Sequence, residues 1–134
     1  MEHYDFICDE GLTSLRLLQR TPAEVDQPLQ RMRVHVRCTD CVAGVDVDAD
    51  DWSGFARLFT HHYAECGSAA WIAPGGEWML HVERDDENTF SFTSKIDSLL
   101  DCHRWTLRTQ FKMSAGRFQT TSVEVLAFLG TCHR

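Results

Sequence analysis

A chain of 134 residues, 43% apolar and 25% charged, has the make-up of one globular domain over residues 1–134. It is long enough to bury roughly two-thirds of the surface that its unfolded form exposes, which excludes wholesale disorder. The balance of 13 Lys+Arg against 20 Asp+Glu, −7 in all, repels nucleic-acid phosphate and favours basic partners.

The opening segment "MEHYDFICDEG" has neither a basic n-region nor an apolar h-region, and no run approaches the roughly 18 apolar residues of a membrane span. A cytoplasmic chain without membrane contact is therefore expected. Six cysteines (Cys8, Cys38, Cys41, Cys66, Cys102 and Cys132) are scattered along a chain with its own core. In that setting they read as free thiols rather than as a disulfide framework.

In chain order, "DFICD" predicts a short strand, and Gly11 separates it from "LTSLRLLQR". "TPAEVDQP", between Pro22 and Pro28, predicts a loop. In "QRMRVHVRC", Met32, Val34, Val36 and Cys38 alternate with Arg31, Arg33, His35 and Arg37, which predicts a half-buried strand with one wet, basic face. "VAGVDVDA" continues that strand past a bend at Gly44.

The period changes at Asp51. Trp52, Phe55, Phe59, Tyr63 and Cys66 fall at helical spacing, Asp50 or Asp51 stands where an N-cap belongs, and Gly67 follows. A helix of about 15 residues is predicted. "SAAWIAPGG" reads as loop and turn. "EWMLHVER" and "TFSFTSKI", joined by "DDEN", predict an antiparallel hairpin. "RWTLRTQFKM" is another alternating strand, with Trp105 on its inward side. In "GRFQTTSVEVLAFLG", Phe118, Ser122, Val125 and Leu129 share a helical face, and Thr121 and Glu124 have capping-box spacing. No sequence repeat is visible. The expected fold is α+β, in the order β-β-β-α-β-β-β-α, with about six antiparallel strands in one sheet and the helices on one face.

The segment "RCTDCVAGVDVDADDW" concentrates the residues with the most chemistry. An EF-hand loop begun at Asp46 would place Asp51 at position six and Arg57 at position twelve, where glycine and a bidentate glutamate are required. That excludes an EF-hand. A structural zinc site is an alternative: two residues separate Cys38 from Cys41, and three separate His62 from Cys66. A thioredoxin-like pair would need Cys38 at a helix N-terminus, and the predicted helix starts about ten residues beyond Cys41. The simpler reading places Cys38 at a strand end and Cys41 near a turn, with no cofactor.

His61 and His62 point about 100° apart on a helix and do not converge on one atom. No P-loop, G-x-S-x-G, H-E-x-x-H or dinucleotide glycine pattern occurs, and the expectation is a chain that is not an enzyme. Of the four tryptophans, Trp52, Trp78 and Trp105 are expected in the core and Trp71 partly exposed. Two acidic segments remain, Asp46, Asp48, Asp50 and Asp51 in "DVDADD" and Asp85, Asp86 and Glu87 in "DDE". They are helix-cap and turn residues, a docking surface for a cationic partner, or both.

The pattern "W…GGEWMLHVERDDENTFSFTSKI…HRWTLRTQF…VLAFL" resembles a family of small bacterial proteins known only as uncharacterised domains. Across roughly residues 30 to 130 it is also similar to the small acidic immunity proteins of polymorphic-toxin systems. The resemblance implies an α+β binding protein without catalytic residues. It implies a toxin domain as partner. The acidic segments themselves are the expected docking surface for a basic partner, through Asp46, Asp48, Asp50, Asp51, Asp85, Asp86 and Glu87, with Trp71 as an aromatic anchor.

Overall fold

The computed structural model describes residues 3–7, 13–19, 31–49, 51–98 and 104–132. They form an α+β fold in which one order of elements occurs twice. The first half is β1 (His3–Ile7), β2 (Ser14–Gln19), β3 (Arg31–Arg37), β4 (Val42–Asp48) and helix α1 (Ser53–Thr60). The second is β5 (Ser68–Ile72), β6 (Trp78–Arg84), β7 (Thr89–Asp97), β8 (Thr106–Ser114) and helix α2 (Ala115–Cys132). Each half builds a four-stranded antiparallel meander, β1-β2-β3-β4 and β5-β6-β7-β8.

Antiparallel α+β architecture is thus present, but with eight strands in two sheets rather than six in one. The extra strands come from two places. "VAGVDVD" does not extend β3; the chain reverses through Thr39–Asp40, Cys38 N–H bonds to the Cys41 carbonyl at 2.7 Å, and β4 pairs back on β3. "SAAWI" is strand β5 rather than loop. The expected repeat-free chain is a structural duplicate because the two halves share topology and little residue pattern.

Alternation explains the core. Met32, Val34 and Val36 of β3 are buried, together with Tyr4 and Phe6, Leu15 and Leu17, and Val47 of the neighbouring strands. The other sheet contributes Trp78, Leu80, Val82, Phe90, Phe92, Ile96, Phe111 and Met113, and the helices add Phe55, Leu58, Phe59, Phe118, Val125, Phe128 and Leu129. All belong to one continuous cluster. Rings span the seams: Phe6 of β1 lies 6.2 Å from Phe92 and 6.4 Å from Phe111, and Phe59 stacks 6.2 Å from Phe118.

Helix α1 is half the expected length. The backbone leaves it at His61, whose ψ of 139° is extended, and Tyr63 reaches the core from the following loop. Arg84 donates to the Tyr63 carbonyl at 2.9 Å, and Cys66 N–H bonds to the Arg84 carbonyl at 2.8 Å. These bonds commit the segment to sheet geometry, a tertiary override of a helix-like apolar spacing. The expected C-terminal helix is α2. No helix among the described residues is long and apolar enough to cross a membrane.

Candidate partner-binding cleft

The outer face of the first sheet is a ladder of opposite charges. Register places Arg31 opposite Asp48 and Arg33 opposite Asp46. Arg31 reaches the two Asp48 carboxylate oxygens at 2.7 and 3.5 Å, and Arg33 lies 3.4 Å from Asp46. Arg16 likewise holds Asp5 at 2.6 and 2.9 Å. The Asp48 hydrogen bond, with its charge, raises the pKa of Arg31. Gly44 lets these long side chains lie flat: a Cβ there would stand 2.7 Å from the His35 ring and 2.9 Å from Arg33 Nη2.

Where β4 meets the turn before β6, this face borders a cleft of about 580 Å³ whose walls include Arg33, Asp46, Asp48, Glu77, Ser98 and Trp105. Glu77 is 8% exposed. Its Oε1 accepts the Asp48 backbone N–H at 3.3 Å, so one carboxylate ties the first sheet to the second. Turn geometry positions it: Gly76 N–H bonds to the Ala73 carbonyl at 2.8 Å, Ala73 N–H to the Trp78 carbonyl at 2.9 Å, and Gly76 adopts φ +80°. A Cβ at Gly75 would sit 2.3 Å from Glu77 Oε2, so glycine clears the carboxylate's position. Trp105 also lines the cleft, 41% exposed, its carbonyl accepting Ser98 N–H at 2.9 Å.

The other expected contact residues lie elsewhere. Asp85, Asp86 and Glu87 form the β6–β7 turn, at the far end of a seven-residue strand, roughly 26 Å from Glu77 at strand rise. Asp85 accepts the Ser91 hydroxyl and lies 3.7 Å from Lys112, and Asp86 Oδ1 accepts Asn88 N–H at 2.8 Å. Arg84 donates to the Asp86 and Glu87 carbonyls, each at 3.1 Å. This group shapes its own turn and is not brought together with Asp46 and Asp48.

Asp51 accepts the Ser53 N–H at 2.9 Å and its hydroxyl at 2.8 Å, fixing the entry to α1; Asp50 lies outside the described residues. Trp71, expected to be partly exposed, is half-buried, and it stands on β5. Its ring centroid is 5.2 Å from Trp52, 5.4 Å from Phe55 and 5.9 Å from Trp78. It rests on Gly54, where a Cβ would come within 3.0 Å of its ring. The more exposed tryptophan is Trp105, which alternation had put inward. It precedes β8, and the inward parity holds only from Leu107 onward.

The alternative zinc ligands do not assemble. Cys38 and Cys41 flank the β3–β4 turn, His62 is exposed beyond α1, and Cys66 lies at the start of the second sheet, its Sγ 4.0 Å from the Asp85 carbonyl. Among the described residues no group of three or more His, Cys, Asp or Glu side chains could hold a metal ion. Burial first, then the neighbouring Cys41 and Asp40, pushes the Cys38 thiol pKa up, the reverse of a reactive thiolate.

The class these elements define is a duplicated ββββα fold with a cleft at the seam of its sheets, lined by both charged and apolar groups. The fold is similar to that in the structure of the plant transcriptional regulator PBF-2, with a TM-score of 0.55 and 9% identity over 97% of this chain and 81% of that one. At that identity the likeness concerns the fold alone. No protein-family model matches the chain, and no curated protein matches it in sequence.

Proposed function

We propose that this chain is a non-enzymatic protein-binding module, and that it acts in the cytoplasm as a bacterial immunity protein, neutralising a toxin domain with a basic surface by stoichiometric occupation. The observation that carries the reading is the seam cleft, whose lining combines a large exposed aromatic residue, Trp105, with the carboxylates Asp46, Asp48 and Glu77. Aromatic anchors beside charge are the usual centres of protein interfaces, and net charge of −7 speeds capture of a basic partner. The contact set is narrower than the acidic pattern implies: Asp46, Asp48, Glu77 and Trp105, without Trp71 and without the β6–β7 turn. Co-expression with the variable C-terminal domain of a secreted protein encoded beside it should protect the cell, and the purified pair should elute as a one-to-one complex. Unrelieved killing by every such neighbouring domain would remove this reading.

A second reading takes its support from the likeness to a transcriptional regulator. The first sheet's outer face carries Arg16, Arg31, Arg33 and Arg37, a face suited to phosphate in outline. Three of those four arginines already hold an aspartate, so binding nucleic acid there would first have to break those pairs, against the field of an acidic chain.

A further inference from the structure

We infer that the seam cleft is a receptor for one cationic side chain of the partner, an arginine whose guanidinium lies on the Trp105 ring and places its charge on the Glu77 carboxylate. The inference rests on the reading of the chain as a binder of a basic protein, and it names the group that is gripped. Its starting point is an imbalance. Asp46 and Asp48 have Arg33 and Arg31. Glu77 is the more buried of the three carboxylates, yet no Lys, Arg or His nitrogen among the described residues is within ion-pair distance of it. Its hydrogen bond is a single 3.3 Å contact from the Asp48 amide.

Glu77 lines the cleft with no cationic nitrogen of the described residues beside it, so a cation entering there makes a charge-assisted contact that the unbound protein lacks. Gly75 is part of the same arrangement, because any Cβ would displace Oε2 from the place it occupies. Trp105, in the same lining, offers the side chain that best attracts a cation to its ring face. Guanidinium suits this pair of groups better than ammonium: it is planar, weakly hydrated, stacks on aromatic rings and donates in a fork to a carboxylate. The cleft's size falls in the range of ordinary binding clefts and admits a side chain with its flanking backbone. Arg33, neutralised by Asp46, limits the site to one further cation.

The competing account makes Glu77 a simple tie between sheets. A glutamine keeps the acceptor for the Asp48 amide and loses the charge, so Glu77→Gln separates the two. The probe is N-acetyl-arginine N-methylamide, with the neutral isostere N-acetyl-citrulline N-methylamide as control, read by nitrogen-15 NMR. The arginine probe should shift the Trp105 indole and Glu77 amide signals saturably, at least tenfold more tightly than citrulline. Glu77→Gln and Gly75→Ala should each weaken it at least tenfold, Glu77→Gln with its thermal midpoint nearly unchanged.

Equal curves for the two probes, or an unaltered curve in Glu77→Gln, would overturn the inference. So would the same signals moving at lower concentration with single-stranded oligothymidine. A protein complex of undiminished affinity in Glu77→Gln would overturn the cleft while leaving the binding-protein reading in place. Probe binding in a chain that protects against no toxin would support the cation site and remove the immunity reading.

Discussion

The two halves repeat one topology and use it differently. The first sheet has a mainly aliphatic inner face, Leu15, Leu17, Met32, Val34, Val36 and Val47, and an outer face of arginine–aspartate pairs. The second has an aromatic inner face, with Trp78, Phe90, Phe92 and Phe111, and turns closed by their own side chains. Its helix is 18 residues against 8. A shared topology therefore fixes neither where stability resides nor where a partner docks. The larger buried rings of the aromatic half should concentrate stability there, and the candidate contact lies at the seam, with Asp46 and Asp48 from one half and Glu77 and Trp105 from the other.

The largest effect should come from the aromatic wall. Trp78 is fully buried, its indole N–H donates to Ser94 Oγ at 2.9 Å, and its ring lies 5.4 Å from Phe55 and 5.9 Å from Trp71. Trp78→Ala should cost about 3–5 kcal/mol in denaturant unfolding. Val34→Ala, in the aliphatic wall, should cost about half of that or less, since it removes fewer buried atoms. Equal losses would erase the contrast between the halves.

Next in size is a pH effect that samples the first half with one tyrosine and the connection between the halves with the other. Burial raises the pKa of Tyr4 to about 12, with Glu124 adding to the shift, and burial raises Tyr63 to about 12 as well. The Tyr63 hydroxyl donates to the Leu58 carbonyl at 2.8 Å. These are the two tyrosines of the chain. An ultraviolet titration should thus show no phenolate step near the ordinary pKa of about 10. The unfolded chain ionises there while the folded one does not, so stability is full below that pH and is lost as pH rises toward 12. A normal phenolate step at either position would place that ring in water instead of the core.

How far these contrasts were legible in the sequence differs by element. β3, the β6–β7 hairpin, β8 and α2 follow from period and turn residues, because alternation and helical spacing are local properties. β4 was hidden because its turn, Thr39–Asp40, lacks the glycine or asparagine that marks tight hairpins. The length of α1 was hidden because Tyr63 has helical spacing but is drawn into the core by Arg84 and Leu58, far or out of phase in sequence. At the cleft, the aspartates were visible as charge and their arginine partners were visible as a basic strand. Only register could say that the two neutralise one another. Glu77 and Trp105 carried no signal, since a buried carboxylate and an exposed tryptophan each run against their ordinary preference.

A smaller gain should come at the junction of the halves. Cys66 has φ +62°, a left-handed conformation that glycine adopts without strain, and its side chain is exposed. Cys66→Gly should stabilise the chain by about 1 kcal/mol, read as a rise in denaturant midpoint with an unchanged slope. A loss instead would mean that the weak sulfur contact to the Asp85 carbonyl outweighs backbone relief.

The smallest effect tests whether the charged face of the first half serves stability at all. Arg33 and Asp46 are about one-third exposed on each side and 3.4 Å apart. Water and salt screen such a pair, and two long side chains lose freedom to make it, so a double-mutant cycle should return a coupling below about 1 kcal/mol. The same cycle read on partner binding should behave differently. Removing Arg33 alone makes the cleft more negative and should tighten capture of a basic partner, whereas Asp46→Asn makes it more positive and should weaken it. Opposite signs in binding beside a near-zero term in folding would assign the ladder to tuning the cleft's charge. Parallel losses in both would return it to the fold.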